Sequence, residues 1–442
     1  MDIITSPEVV TIFMFGALLL GVITGFPLAL PIGGVGVIAG YLLFGPNAFD
    51  IIYSRVYDIL TNYGMIAVPL FVFMGNMLEK SGIAEKMYDA LYVWFGKFRG
   101  GLAIVSVLIG TILAACVGII AASITMLTLV ALPSMIRRGY DKSLATGSIC
   151  AGGSLGILIP PSIMLIVYGP AAGISVGKLF MGAFIPGFVL SGLYMLYIGI
   201  RSYFQPEMAP ASIEDEKLSF GKKTSMLLSS IGPVALLIFS VMGSIYFGLA
   251  SPTEAAAVGA AAATILTIAY GHFTWKVLKD VAMDTIKLTA MVLLIAGCST
   301  AFVSVFLSAG GGDVVANLIL SVPGGHWMAF ALIMLIAFIL GMFIDWIGII
   351  FILVPILAPI VPKLGFNPLW FAMMVIVNLQ MSFLTPPFAY AIFFLKGAAA
   401  PELGIDTADI IRGVIPFIGL IVIGLLLMIA FPQIILWLPS TM

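Results

Sequence analysis

The sequence predicts an all-α polytopic membrane protein made of two inverted repeats, each holding a re-entrant helical hairpin and a broken helix. Three observations predict it. Of the 442 residues 62% are hydrophobic and only 9% charged, with a mean hydropathy of +1.21, far from the balance of a water-soluble domain. Apolar runs long enough to cross a bilayer recur along the whole chain. Two proline pairs, in GGSLGILIPPS (152–162) and VNLQMSFLTPPFA (377–389), interrupt two of those runs.

Taken in order, single spans fall near 8–26, 28–45, 62–78, 143–168, 179–200, 227–248, 252–271, 288–308, 370–395 and 412–437. No Lys or Arg precedes the first run, so it lacks the basic start of a cleaved signal and is expected to stay as a span. Two blocks, 101–136 and 327–361, are too long for one crossing. Each breaks near its middle, at CVGIIAAS (116–123) and GMFIDWIG (341–348), and each reads as a hairpin that returns to its own side. Charge placement agrees, because cytoplasmic loops are enriched in Lys and Arg. With both hairpins in place, one side receives only Arg55, Lys178 and Lys363 of the 19 basic residues. That side is outside, and the N-terminus lies there too.

The chain repeats itself under a shift of 226, which lays LPSMIRRGYDKSLA (132–145) over APIVPKLGFNPLWF (358–371) and Pro160 and Pro161 over Pro386 and Pro387. Five spans separate the hairpins, an odd number, so the copies have opposite orientations. The first half is 1–204 and the second 227–442, joined by a polar cytoplasmic linker, 205–226. Inverted repeats with matched helix breaks are the signature of secondary transporters with a binding site at mid-membrane.

The breaks have chemical content. Proline has no N–H and blocks the carbonyl four residues back, so Pro160 frees Gly156 and Pro386 frees Ser382. It also turns Ile159 and Thr385 out of helical geometry. Broken backbone survives at membrane depth only beside protein or a polar cavity. With the hydroxyls of Ser154, Ser382 and Thr385, the freed carbonyls form an oxygen-rich site suited to a hard monovalent cation such as Na+. Of the carboxylates, Asp345 falls at the second hairpin tip, in ion or substrate contact or as a helix cap, and Glu254 fits the first turn of a helix after Ser-Pro.

Other functions fit poorly. A net charge of −1 gives no basic field for nucleic acid. Cys116, Cys150 and Cys298 all sit in apolar runs and read as buried small side chains, neither disulfides nor metal ligands. GGSLG at 152–156 matches a hydrolase nucleophile pattern, but that elbow needs a histidine base in reach. His272 and His326 fall in loops on opposite sides. A passive channel is the remaining alternative, separated by saturable, sodium-dependent uptake.

GYDKSLATG, AGGSLGILIPPS, SPTEAAAVGA and LTPPF, in this order, resemble the large membrane subunit of tripartite ATP-independent periplasmic (TRAP) transporters over residues 8–435. The resemblance implies an elevator-type, sodium-coupled importer of a small organic anion, a carboxylate, in the bacterial inner membrane. It implies Na+ as coupling ion with no organic cofactor, and as partners a small four-helix membrane subunit, a periplasmic solute-binding protein and membrane lipid. Two sodium sites carry over. The first resembles Gly156, Ile159 and Pro161 with the hairpin tip around Val117, Ile120 and Ser123, although CVGII replaces the family's serine-rich tip. The second resembles Gly341 with Ser382, Thr385 and Phe388. Ser154 and Asp345 lie in the vicinity of ion or substrate. A stand-alone sodium-coupled carboxylate carrier is the nearest alternative within transporters.

Overall fold

The structure, a computed structural model, describes residues 6–118, 120–211 and 219–442, apart from the side chains of Cys116 and Val117. Among the described residues it is helical throughout, with no strand. The first half holds α1 (Pro7–Ile23), α2 (Ala29–Phe44), α3 (Asn47–Leu60), α4 (Ala67–Lys80), α5 (Ile83–Phe95), α6 (Gly101–Val117), α7 (Ile120–Arg137), α8 (Lys142–Ser154), α9 (Ile163–Ala172) and α10 (Val176–Phe204). The second holds α11 (Phe220–Tyr246), α12 (Pro252–Ala269), α13 (Trp275–Ser308), α14 (Gly311–Leu320), α15 (Gly325–Phe343), α16 (Trp346–Leu357), α17 (Pro368–Ser382), α18 (Tyr390–Ala398) and α19 (Thr407–Ala430). Among the described residues seven helices are long and apolar enough to cross a membrane, and the pair Asn47–Leu60 with Tyr63–Lys80, bent by 52°, adds an eighth.

Both expected hairpins and both broken helices are present. Helices α6 and α7 form the first hairpin, α15 and α16 the second, and the breaks part α8 from α9 and α17 from α18. Element boundaries recur at the shift of 226 read from the proline pairs: α7 and α16 start at Ile120 and Trp346, α8 and α17 at Lys142 and Pro368. The caps recur as well. Asp141 accepts from Leu144 N–H at 3.0 Å, and Asn367 accepts from Leu369 and Trp370 N–H at 2.9 and 3.2 Å. Each satisfies orphan donors of a first turn.

Packing exchanges partners between halves. Helix α16 lies on α9 and α18 lies on α7, so each hairpin's second arm supports the short helix of the other half. Around them, α2 packs on α13 and α12 on α4. Ser251 and Glu254 form a reciprocal capping box at the start of α12, with Ser251 N–H donating to the carboxylate at 2.7 Å, as expected for a first-turn acid.

Four elements depart from the sequence reading. Helices α3, α5 and α14 lie between the expected spans, because at 14, 13 and 10 residues they are short and strongly two-faced. Helix α13 starts well before the expected span at 288 and runs 34 residues, since its first turns carry Lys276, Lys279 and Asp280 outside the apolar stretch.

Candidate functional site

The first break begins where α8 runs out of donors. Pro160 has no N–H for the Gly156 carbonyl, and Ile159 N–H reaches back to Leu155 O at 2.9 Å. The chain then passes through a cis Pro160–Pro161 bond to extended Ser162 before α9 starts. Ser162 is wholly buried, and its hydroxyl donates to Ile157 O at 2.6 Å, so this serine takes up one loose carbonyl inside the break. The first hairpin tip rests on this segment. Gly118 turns the chain at φ 63°, and a Cβ there would lie 3.0 Å from the Pro161 carbonyl oxygen. Ser123, one turn into α7, is wholly buried, and its hydroxyl has no hydrogen-bond partner. The structure thus sets the first hairpin tip, at Gly118, on the break at Pro161, and α7, which carries Ile120 and Ser123, touches the turn that holds Gly156, while the Ile159 side chain packs on Gly187. The Val117 side chain lies outside the described residues.

The second break differs in its bookkeeping of carbonyls. Pro386 leaves Ser382 O without its i+4 donor, but Thr385 N–H takes that oxygen at 3.1 Å. The Ser382 carbonyl is therefore not bare, although its second lone pair remains. The Thr385 hydroxyl donates to Met381 O at 2.9 Å, keeping its own lone pairs. Two side chains one turn apart on α17 zip it to α15: Asn378 donates to Met334 O at 2.8 Å and Ser382 Oγ to Phe338 O at 3.1 Å. Gly341 lies so close that a Cβ would stand 2.6 Å from Ser382 Oγ. Phe388 packs edge-on against Phe343 at the hairpin tip, 6.2 Å between ring centres. Gly341, Ser382 and Phe388 are thus gathered, with Thr385 one turn along.

Between the tips lies a cavity of about 150 Å3, walled on its far side by Leu288, Met291 and Val292 of α13. Its other walls include Ile120, Ile163, Trp346 and Tyr390, which are the first residues of α7, α9, α16 and α18. Four helix N-termini therefore border one small, mostly apolar space, with the positive ends of their dipoles toward it, and Ala391 N–H at the start of α18 is already taken by Phe383 O at 3.2 Å. Asp345, half-buried at the N-cap of α16, also lines it. No feature of the sequence marked this convergence, because it depends on where both breaks and both tips meet.

Sequence reasoning also missed Gln380. Wholly buried, it donates to Ser154 Oγ at 3.1 Å and to Tyr194 Oη at 3.3 Å, linking residues 226 apart. Two positions equivalent under the shift thus touch, at the point where the broken helices meet. The Ser154 hydroxyl in turn donates to Ala151 O at 2.8 Å. Buried in a helix end, it does not have the exposed strand-to-helix setting of a hydrolase nucleophile.

A family model described as tripartite ATP-independent periplasmic transporter, DctM component, matches residues 12–434. The chain belongs to that family. It is similar to the C4-dicarboxylate TRAP transporter large permease protein of Pseudomonas aeruginosa, 30% identical over 402 residues, 90% of this chain and 91% of that one. It is also similar to the 2,3-diketo-L-gulonate TRAP transporter large permease protein of Escherichia coli, 29% identical over 427 residues, 96% of each. In fold it resembles the YdaH transporter of Alcanivorax borkumensis, described as having an unusual topology, with a TM-score of 0.65 at 16% identity over 96% of this chain and 99% of that one. This TRAP large permease subunit is accordingly a multi-pass membrane protein of a transport system. Both breaks lie in motifs, AGGSLGILIPPS and LTPPF, by which the sequence resembles the family.

Proposed function

We propose that this TRAP subunit couples inward movement of Na+ to uptake of a small organic anion through the inner membrane. A periplasmic solute-binding protein hands over the substrate, and a small four-helix membrane subunit accompanies the chain. The observation that carries the reading is the seating of each hairpin tip on a helix break, Gly118 against Pro161 and Gly341 against Ser382.

The donor sets fit a hard cation, which takes oxygen ligands. At the first site Ser123 offers a buried hydroxyl with no partner, and Gly156 a carbonyl that Pro160 cannot engage. At the second, Thr385 and Ser382 keep lone pairs after their hydrogen bonds. Bound Na+ would supply positive charge at the two ends of the central cavity. The four helix N-termini orient a carboxylate there, and Asp345 sets the local charge. The substrate class rests on relatives named for C4-dicarboxylate and 2,3-diketo-L-gulonate, both carboxylates.

The two halves are inverted copies, the N-terminus faces the periplasm, and the hairpins with the broken helices ride as one body against α1–α4 and α11–α13. Burial supports that division, since α8, α9 and α17 are covered along nearly their whole length. The test is uptake into proteoliposomes holding the complete complex, with the loaded binding protein outside. An inward Na+ gradient should drive accumulation of the acid that the binding protein carries. Equal accumulation under a K+ gradient would overturn the coupling.

A further inference from the structure

A second cavity, of about 390 Å3, lies between α3 and α13, closed by Pro170 and Ala171 of α9 and by Phe351 and Pro355 of α16. Its wall from the first half is Arg55, Asp58 and Ile59, on one face of α3 at i, i+3 and i+4, with Asn62 in the extended bend beyond the helix end. Opposite stand Thr300, Ser304 and Ser308, each four residues apart on one face of α13. A space bounded by both the surrounding helices and the body of hairpins and breaks, and lined by one cation and a hydroxyl row, is unusual in so apolar a chain.

The cavity exists because the two halves differ there. In the first half α3 and α4 meet at the 52° bend, where Asn62 Oδ1 accepts from Gly64 N–H at 2.9 Å and leaves the amide nitrogen free to donate elsewhere. In the second half the equivalent stretch is the unbroken middle of α13, and the positions matching Arg55 and Asn62 are Val281 and Leu288. The acid is kept, since Asp284 matches Asp58, whereas the cation and the amide of the first copy have no counterpart at the matching positions. Helix α13 also links this cavity to the central one, since Leu288, Met291 and Val292 wall the central space and Thr300 to Ser308 wall this one.

We infer that this cavity is an outer receiving site for the carboxylate of the transported anion, with Arg55 as the group that engages it. The inference rests on the organic-anion reading and on the outward placement of Arg55. A guanidinium offers five donors in a fork that matches a carboxylate, more than the single neighbouring Asp58 can use. Thr300 and the Asn62 amide add neutral donors, and the volume is enough for a small dicarboxylate or hydroxy acid.

Charge-selective thiol labelling tests this without knowledge of the substrate. In the purified complete complex, with the three native cysteines replaced by alanine, Ser308→Cys is the reporter. Its reaction rates are measured with an anionic and a cationic methanethiosulfonate of similar size. Arg55→Gln should lower the anionic-to-cationic rate ratio about tenfold, each reagent shifting by about threefold in opposite directions. Arg55→Lys should keep most of the ratio, and Asp58→Asn should raise it. In intact cells the reporter should react from outside. A ratio unchanged by Arg55→Gln, or a reporter reached only from the inner face, would sink the proposal. Neither rate depends on Na+ or on transport, so the uptake test and this one fail independently.

Discussion

Gly341→Ala tests the seat of the second hairpin on its break. The added Cβ would lie 2.6 Å from both Cβ and Oγ of Ser382, where ordinary contact begins near 3.4 Å. Either the hairpin arm retreats by about 1 Å or Ser382 leaves its bond to Phe338 O, and overpacking of this kind costs about 1–3 kcal/mol. If about 1.4 kcal/mol of that falls on ion binding, the sodium concentration for half-maximal uptake rises about tenfold. The assay is sodium-dependent uptake in proteoliposomes, with thermal unfolding measured on the same preparation. Ser382→Gly removes the two closest atoms that the new methyl meets, leaving the flexible end of Leu379 at 3.2 Å, and loses one hydrogen bond worth about 1 kcal/mol. The double variant Gly341→Ala with Ser382→Gly should therefore recover most of the sodium affinity, giving a coupling of about 1 kcal/mol or more. Gly341→Ala with an unchanged sodium curve, or a double variant no better than Gly341→Ala alone, would refute the seating argument.

Three further outcomes follow from the same geometry. Ser123→Ala should raise the half-maximal sodium concentration several-fold while leaving unfolding temperature unchanged or slightly higher, because a buried hydroxyl without a partner costs stability; an unaltered sodium curve removes Ser123 from the first site. Thr385→Val, which keeps the shape and deletes the hydroxyl bonded to Met381 O, should raise the sodium requirement in a folded protein, and matching curves at equal expression would exclude Thr385. Tyr140 accepts from Leu102 N–H at 3.3 Å at the foot of the first hairpin, and burial pushes its phenol up to about 12. Tyr140→Phe orphans that N–H and should lower stability by about 1–2 kcal/mol, read by denaturant or thermal unfolding, with no change in sodium dependence.

Much of the architecture was legible because prolines and charges act locally. Pro160 and Pro386 mark both breaks, and the small or polar residues at 116–123 and 341–348 mark where α6 gives way to α7 and α15 to α16. Short two-faced helices were not legible, since α3 and α5 mix charges with aromatics and never build the continuous apolar run that marks a span. The residues expected to face a cation could be listed from the breaks and hairpin tips, but their hydrogen bonds could not. Ser382 O acquires Thr385 N–H through a tight turn that no spacing rule predicts. Gln380 was hidden for a different reason: an amide within an apolar run looks like noise until its partners, 186 and 226 residues away, are in contact.

That contact limits how the two halves could be exchanged. In a chain made of two first halves, serine would face serine where Gln380 now meets Ser154, and the short hydroxyls would leave a void beside Tyr194. Two second halves would press glutamine against glutamine, two amide groups competing for space that holds one. Neither homodimer of halves fits its own centre. Neither half could therefore stand in for the other: helix starts still match at a shift of 226, while the side chains that meet at Ser154 and Gln380 are unlike.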